Sequence, residues 1–123
     1  MKLALLQMEV LEKNKAGNVE KACHLLKQAA PQADIAVLPE IWTTGYSLGH
    51  LSKEAEYLNG PVIEEIRRIA AANCCAVVAG SIPLRKGDGK VYNTTVVIDK
   101  NGEIVFCYSK LHLFSMFNEQ RFF

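Results

Sequence analysis

Apolar residues along this chain fall into two kinds of run. Lys2–Glu9, Asp34–Leu38 and Cys75–Ile82 keep apolar residues at nearly every position over a strand's length, the pattern of strands buried on both faces. Val91–Asp99 and Glu103–Tyr108 are two further β-rich runs, joined by Asn101-Gly102, a strong hairpin signal. Between the first two runs, Val19, Ala22, Cys23, Leu26 and Ala29/Ala30 recur at helical spacing, which predicts a helix over Asn18–Ala30 with Pro31 to stop it. Gly60-Pro61 opens a second helix with proline in its first turn, and Val62, Ile63, Ile66, Ile69 and Ala70 give its buried stripe. Thr43–Asn59 reads as a long connection with one helical turn near Leu51–Leu58, Arg85–Lys90 as a charged turn, and Ser109–Phe123 has no clear period.

The order is strand, helix, strand, loop, helix and three strands. It predicts an α/β fold with a sheet of about five strands. Two helices can cover only one face of such a sheet, so the other face is left in need of a cover.

Composition narrows the function. With 123 residues, half of them hydrophobic and 22% charged, the chain is of single-domain size and can build a packed core. The net charge of +1, with both signs mixed, gives no electrostatic reason to expect nucleic acid or an anionic membrane as partner. No apolar run reaches membrane-spanning length, and MKLALLQMEV reads as a first strand, not a signal peptide. The four cysteines, Cys23, Cys74, Cys75 and Cys107, lack CxxC spacing, so a reducing, cytoplasmic setting is expected and each is read as a small buried hydrophobe. No HxH, HExxH, GxGxxG or GxxxxGK pattern occurs, which argues against a metal site or a nucleotide-binding domain.

Two residues stand out chemically. Glu40 follows the apolar strand Asp34–Leu38, at the strand edge where α/β proteins gather their ligand sites. Partial desolvation there is expected to raise its pKa toward that of a useful general base, with Trp42 and Tyr46 as candidate pocket walls. Lys110 ends the last strand and can supply a fixed positive charge on the same rim. Taken singly, a solvated carboxylate at a loop start and a gatekeeper lysine are the simpler accounts. Asn93 reads as a strand residue or as a structural hydrogen-bonder near the site.

The blocks LPEIWTTGY, GSIP, YNTTVVI and YSKLHLF, in that order and spacing, resemble the carbon–nitrogen hydrolase (nitrilase) superfamily, and LPEIWTTGY…KLHLF…NEQ most resembles its ω-amidase branch, which includes 2-oxoglutaramate amidases. The resemblance implies a four-layer α-β-β-α sandwich, with residues 1–123 as the N-terminal half of the domain. It implies Glu40 as general base, Lys110 as oxyanion stabiliser and Glu119 as the second glutamate, acting on a small-molecule amide with no metal or organic cofactor. The nucleophilic cysteine of the family lies beyond the second glutamate, and none of the four cysteines here matches it. Three expectations follow. Residues 1–123 alone are catalytically silent; the partner is the missing C-terminal half or a second copy; and the alternative is a non-catalytic remnant that binds a partner or small ligand. A flavodoxin-like binding module also fits the element order, but it leaves Glu40 and Lys110 unexplained.

Overall fold

The computed structural model describes residues 1–114 and 119–123. Its elements run β1 (Leu3–Leu5), α1 (Lys15–Ala29), β2 (Ile35–Val37), α2 (Leu51–Glu54), α3 (Pro61–Asn73), β3 (Ala76–Arg85), β4 (Val91–Ile98) and β5 (Ile104–Ser109). The strands form one sheet in the order β1-β2-β3-β4-β5. The first three are parallel, and β4 and β5 add as antiparallel hairpin strands. Because β5 reverses the direction of β4, it runs the same way as β2, and the carboxyl ends of both reach one rim.

Local chemistry shifts several boundaries. The first helix begins at Lys15, earlier than its apolar stripe, because Asn14 caps it by accepting a hydrogen bond from the Gly17 N–H at 3.1 Å. Pro31 continues the chain through a short 3₁₀ turn, Ala30–Gln32, where its missing N–H costs nothing. The first strand pairs over only three residues. Beyond it, the Leu6 N–H still donates to the Val37 carbonyl at 2.9 Å, and Leu6, Met8 and Val10 pack on the core. The third strand extends through Pro83 to Arg85, and its register slips between Val78 and Ser81. Cys74 takes a left-handed conformation (φ 50°) to end α3. Cys74 and Cys107 are exposed, against the expectation that all four cysteines are buried; only Cys23 and Cys75 are. Cys107 sits on β5, which has no outer neighbour among the described residues, and Cys74 on a helix-to-strand turn.

Both long helices lie on one face. Ala22 and Leu26 of α1 and Ile63, Ile66 and Ala70 of α3 pack with Ala36, Val77, Ala79, Val96 and Ile98 of the sheet. The alternate strand positions point the other way. Register aligns Leu5, Val37, Val78, Val97 and Phe106 across that opposite face, where Leu5 is 76% and Phe106 56% exposed. Among the described residues no helix covers it, as the strand and helix count anticipates.

The β4–β5 connection takes five residues, Asp99–Glu103, rather than the two of a tight Asn-Gly hairpin. The Gly102 N–H donates to the Asp99 carbonyl at 3.0 Å, and Asp99 Oδ1 accepts from the Asn101 and Glu103 N–H groups. Gly102 has φ +82°, and a Cβ there would lie 2.7 Å from the Arg67 carbonyl oxygen of α3. The turn thus needs glycine both for its backbone angle and for its approach to the helix. Gly102→Ala is expected to destabilise the protein by more than about 1 kcal/mol, read as a lowered urea midpoint at unchanged m-value.

Candidate active site

Glu40 lies three residues past β2, at the start of a loop held rigidly from below. The next residue, Ile41, has φ +46°, a rare conformation for a β-branched side chain that costs about 1–3 kcal/mol. It persists because Ile41 is fully buried, because its N–H donates to Ser81 Oγ at 3.0 Å, and because its carbonyl accepts from the Gly45 N–H at 2.9 Å. The bulge in β3 makes room for this turn. Gly80 has φ +55°, and a Cβ on it would fall 1.9 Å from the Pro39 carbonyl oxygen, which instead accepts from the Ser81 N–H at 3.1 Å. Further along the loop, buried Asn18 of α1 donates to the Thr43 carbonyl at 3.0 Å.

Trp42, expected as a pocket wall, is a core residue instead. It is fully buried beneath the loop, and its Nε1–H donates to the Ala79 carbonyl at 2.9 Å. A large ring whose single polar atom finds a main-chain acceptor gains more from the interior than from a cleft wall. Tyr46 does border a hollow beside Glu40, and its hydroxyl hydrogen-bonds to Glu40.

Residues far apart in sequence converge on Glu40. Its Oε1 accepts from Lys110 Nζ at 3.1 Å and from Asn93 Nδ2 at 3.0 Å. Lys110 Nζ also lies 3.2 Å from Oε2 of Glu119, which is fully buried and accepts from the Phe114 N–H at 2.8 Å. The three residues expected from sequence thus form one ion cluster, with Lys110 between two carboxylates. A cleft of about 300 Å³ opens beside it between Glu40, Gly80, Ser81, Asn93 and Tyr108, on the uncovered face of the sheet. A second hollow of about 420 Å³ lies between Tyr46, His112, Phe114 and Glu119. Neither is lined by a cysteine among the described residues. Cys107 instead borders a groove with Tyr57, Leu84 and Thr94. Burial pushes the Cys23 and Cys75 thiols up, away from the thiolate form.

The electrostatics correct one expectation. Burial does push the Glu40 carboxyl up, but hydrogen bonds from Lys110, Asn93 and Tyr46, together with the Lys110 charge, outweigh it and hold the group below the usual carboxylate value. For Lys110, burial favours the neutral amine. Its hydrogen bonds to Glu40 and Glu119 and their charges reverse this and raise its pKa. Burial and the Glu40 charge push the Tyr46 hydroxyl up, so it stays a donor. Among the described residues no group of three or more His, Cys, Asp and Glu could hold a metal ion, and no helix is long and apolar enough to cross a membrane.

The family model for carbon-nitrogen hydrolases matches residues 2–123. The chain belongs to the carbon-nitrogen hydrolase family. It is 34% identical over 117 residues to the 2-oxoglutaramate amidase of Bacillus subtilis, covering 95% of this chain and 45% of that protein. It is also 34% identical over 116 residues to the ω-amidase NIT2 of Bos taurus, covering 94% of this chain and 41% of the relative. The chain therefore spans less than half the length of the curated relatives it matches. XC1258 from Xanthomonas campestris, a CN-hydrolase superfamily protein solved with an arsenic adduct in its active site, superposes with a TM-score of 0.90 at 32% identity. That match covers 100% of this chain and 45% of XC1258. Nit3 of Saccharomyces cerevisiae, from branch 10 of the nitrilase superfamily, gives 0.88 at 24% identity, over 99% of this chain and 47% of Nit3, a likeness of fold. In this carbon-nitrogen hydrolase chain the blocks that carried the resemblance are the segments that build the cluster. GSIP supplies the bulge, and YNTT supplies Asn93.

Sequence reading had no signal for Ser81 as the support of Ile41, since a serine in an apolar strand looks like an interruption. Ser81→Ala is expected to strand the buried Ile41 N–H and cost about 1–3 kcal/mol, measurable by urea denaturation. The lowered pKa of Glu40 also sets a pH dependence. Its contribution to stability is present at neutral pH and is lost as pH falls through its folded-state pKa, below the usual carboxylate value. Glu40→Gln is expected to flatten that part of the acid limb in a pH series of unfolding midpoints.

Proposed function

We propose that this chain supplies the acid–base and oxyanion-stabilising groups of an amidase acting on small ω-amides, releasing carboxylic acid and ammonia. The observation that carries this reading is Lys110, held within 3.1 Å of Glu40 and 3.2 Å of Glu119 at the mouth of a cleft large enough for a small acyl group. Its likeness to the Bacillus amidase and to NIT2 supports the substrate class.

In this mechanism Glu40 accepts the proton of a thiol, and the sulfur's electron pair attacks the amide carbon. The carbonyl π pair moves to oxygen, beside the Lys110 ammonium. Collapse breaks the C–N bond, and Glu40 returns its proton to the leaving nitrogen, which departs as ammonia. Water then attacks the thioester, giving up a proton through Glu40, and the acid leaves as the thiol is restored. As Lys110 turns toward the oxyanion its hold on Glu40 relaxes, so the carboxylate becomes more basic at the moment it must keep a proton. Glu119, buried and tied to the Phe114 N–H, anchors the lysine through this exchange.

The thiol comes from polypeptide other than residues 1–123, because none of the four cysteines borders the cleft. That polypeptide covers the open sheet face and the site together. The same face favours a second reading, in which the chain is a non-catalytic module that binds a partner through its exposed strands.

The whole protein carrying this chain is expected to release ammonia from 2-oxoglutaramate, with Glu40→Gln lowering kcat by about 10²–10⁴-fold. Residues 1–123 alone are expected to release none. Ammonia release by 1–123 that Glu40→Gln abolishes would place the nucleophile inside the chain and overturn the assignment; no release by the whole protein would leave the binding-module reading.

A further inference from the structure

Two buried asparagines in this chain are used differently. Asn18 spends its amide on the main chain, accepting from the Leu11 N–H at 2.8 Å and donating to the Leu11 and Thr43 carbonyls at 2.7 and 3.0 Å. That is a structural asparagine with its polar atoms paired. Asn93 is as thoroughly enclosed, at 3% exposure, yet among the described residues its Oδ1 has no partner and its side chain makes one hydrogen bond, from Nδ2 to Glu40 Oε1 at 3.0 Å. A buried, unpaired carbonyl oxygen is destabilising. A purely structural role would remove it. The amide cannot be turned over to relieve it, because Oδ1 would then face a carboxylate oxygen.

The main chain of the same residue reaches the other half of the ion pair. The Asn93 carbonyl accepts from the Lys110 N–H at 2.9 Å, where β5 ends. Asn93 is therefore bonded to Glu40 through its side chain and to Lys110 through its backbone. It sits on β4, between the strands that deliver these residues.

We infer that Asn93 is the positioning residue for Glu40: with Lys110 it saturates Oε1, fixes the plane of the carboxylate, and leaves Oε2 as the oxygen that receives the thiol proton. An oxygen with two lone pairs, engaged by Lys110 and Asn93, has no room for a third donor. Wherever the Tyr46 hydroxyl bonds, Oε2 keeps at least one lone pair. The base is thus pre-aimed, as proton transfer requires. Among the described residues, Lys110, Tyr46, Tyr108, Glu119 and His112 are the titratable groups that border the two hollows Glu40 lines. Of the groups bonded to Glu40, Asn93 is a neutral donor that can be removed without altering the charge of the cluster. This inference rests on the amidase reading for its catalytic meaning, but not for its structural test.

The test uses the whole protein carrying this chain, with Asn93→Ala and the near-isosteric Asn93→Asp, and folding checked by circular dichroism. With 2-oxoglutaramate as substrate, Asn93→Ala is expected to lower kcat about a hundredfold with KM changed less than about threefold. The acid limb of kcat/KM is expected to move to higher pH, because a donor that favours the charged carboxylate has gone. Asn93→Asp, which sets a second acidic group against Oε1, is expected to move it further in the same direction. Carbon-13 NMR titration of Glu40 in labelled protein is expected to show the same upward order without any substrate. If the wild type releases no ammonia, the amidase reading fails and the titration still decides the Asn93–Glu40 link. If Asn93→Ala does not fold, Asn93→Asp carries the test. A folded variant whose Glu40 titrates as in the wild type, or whose kcat stays within about twofold of an active wild type, overturns the inference.

Discussion

The site hangs on one cation placed between two anions. Glu119 is fully enclosed, and an isolated carboxylate in such a place would be prohibitively costly. The ammonium of Lys110 and the Phe114 N–H meet it, so the fold can afford to bury it. Lys110 in turn is delivered by the last strand of the sheet, while Glu40 follows the second, 70 residues earlier. No local segment holds both. The cluster exists only when all the strands from β2 to β5 are in register, which ties assembly of the chemistry to cooperative formation of the sheet.

The sheet has a dry side and an open side, and the chemistry sits on the open one. Helices α1 and α3 pack against Ala36, Val77 and Val96, whereas Val78, Thr95 and Tyr108 line the cleft on the opposite side. Parallel strands with one face exposed are uncommon, because their residues are apolar on both faces. Here the exposed apolar strands and the cleft share one surface. Any element that shields Leu5, Phe106 and their neighbours from water also lowers the dielectric around Glu40 and Lys110, strengthening every charge interaction there.

Much of this architecture is legible in the residues. The apolar stripes of the two helices, the Gly60-Pro61 start, a turn at Asn101-Gly102 and the meeting of Glu40 with Lys110 all follow from period, turn chemistry and strand direction. What does not follow depends on contacts between distant segments. Trp42 lies close enough to Glu40 in sequence to suggest a pocket wall, but the Ala79 carbonyl that draws its indole inward belongs to another strand. The direction of the Glu40 pKa likewise turns on three donors, Lys110, Asn93 and Tyr46, of which two come from other strands. Desolvation alone, which a strand-end position does suggest, points the wrong way. Exposure of Cys74 and Cys107 reflects an ordinary turn and an uncovered edge, features that an apolar-looking residue type hides.

The contact between Gly80 and Pro39 is made by main-chain atoms, a carbonyl oxygen filling the space where a side chain would begin. The place of Glu40 on the rim is therefore written into the backbone path of two neighbouring segments, and of the side chains around the cleft Asn93 and Lys110 are the ones that hold its carboxylate. Residues such as Thr95 and Tyr108 can change over the course of divergence, reshaping what the cleft admits, while the carboxylate keeps its bearing. A fold built in this way can explore new substrates without rebuilding its reactive centre.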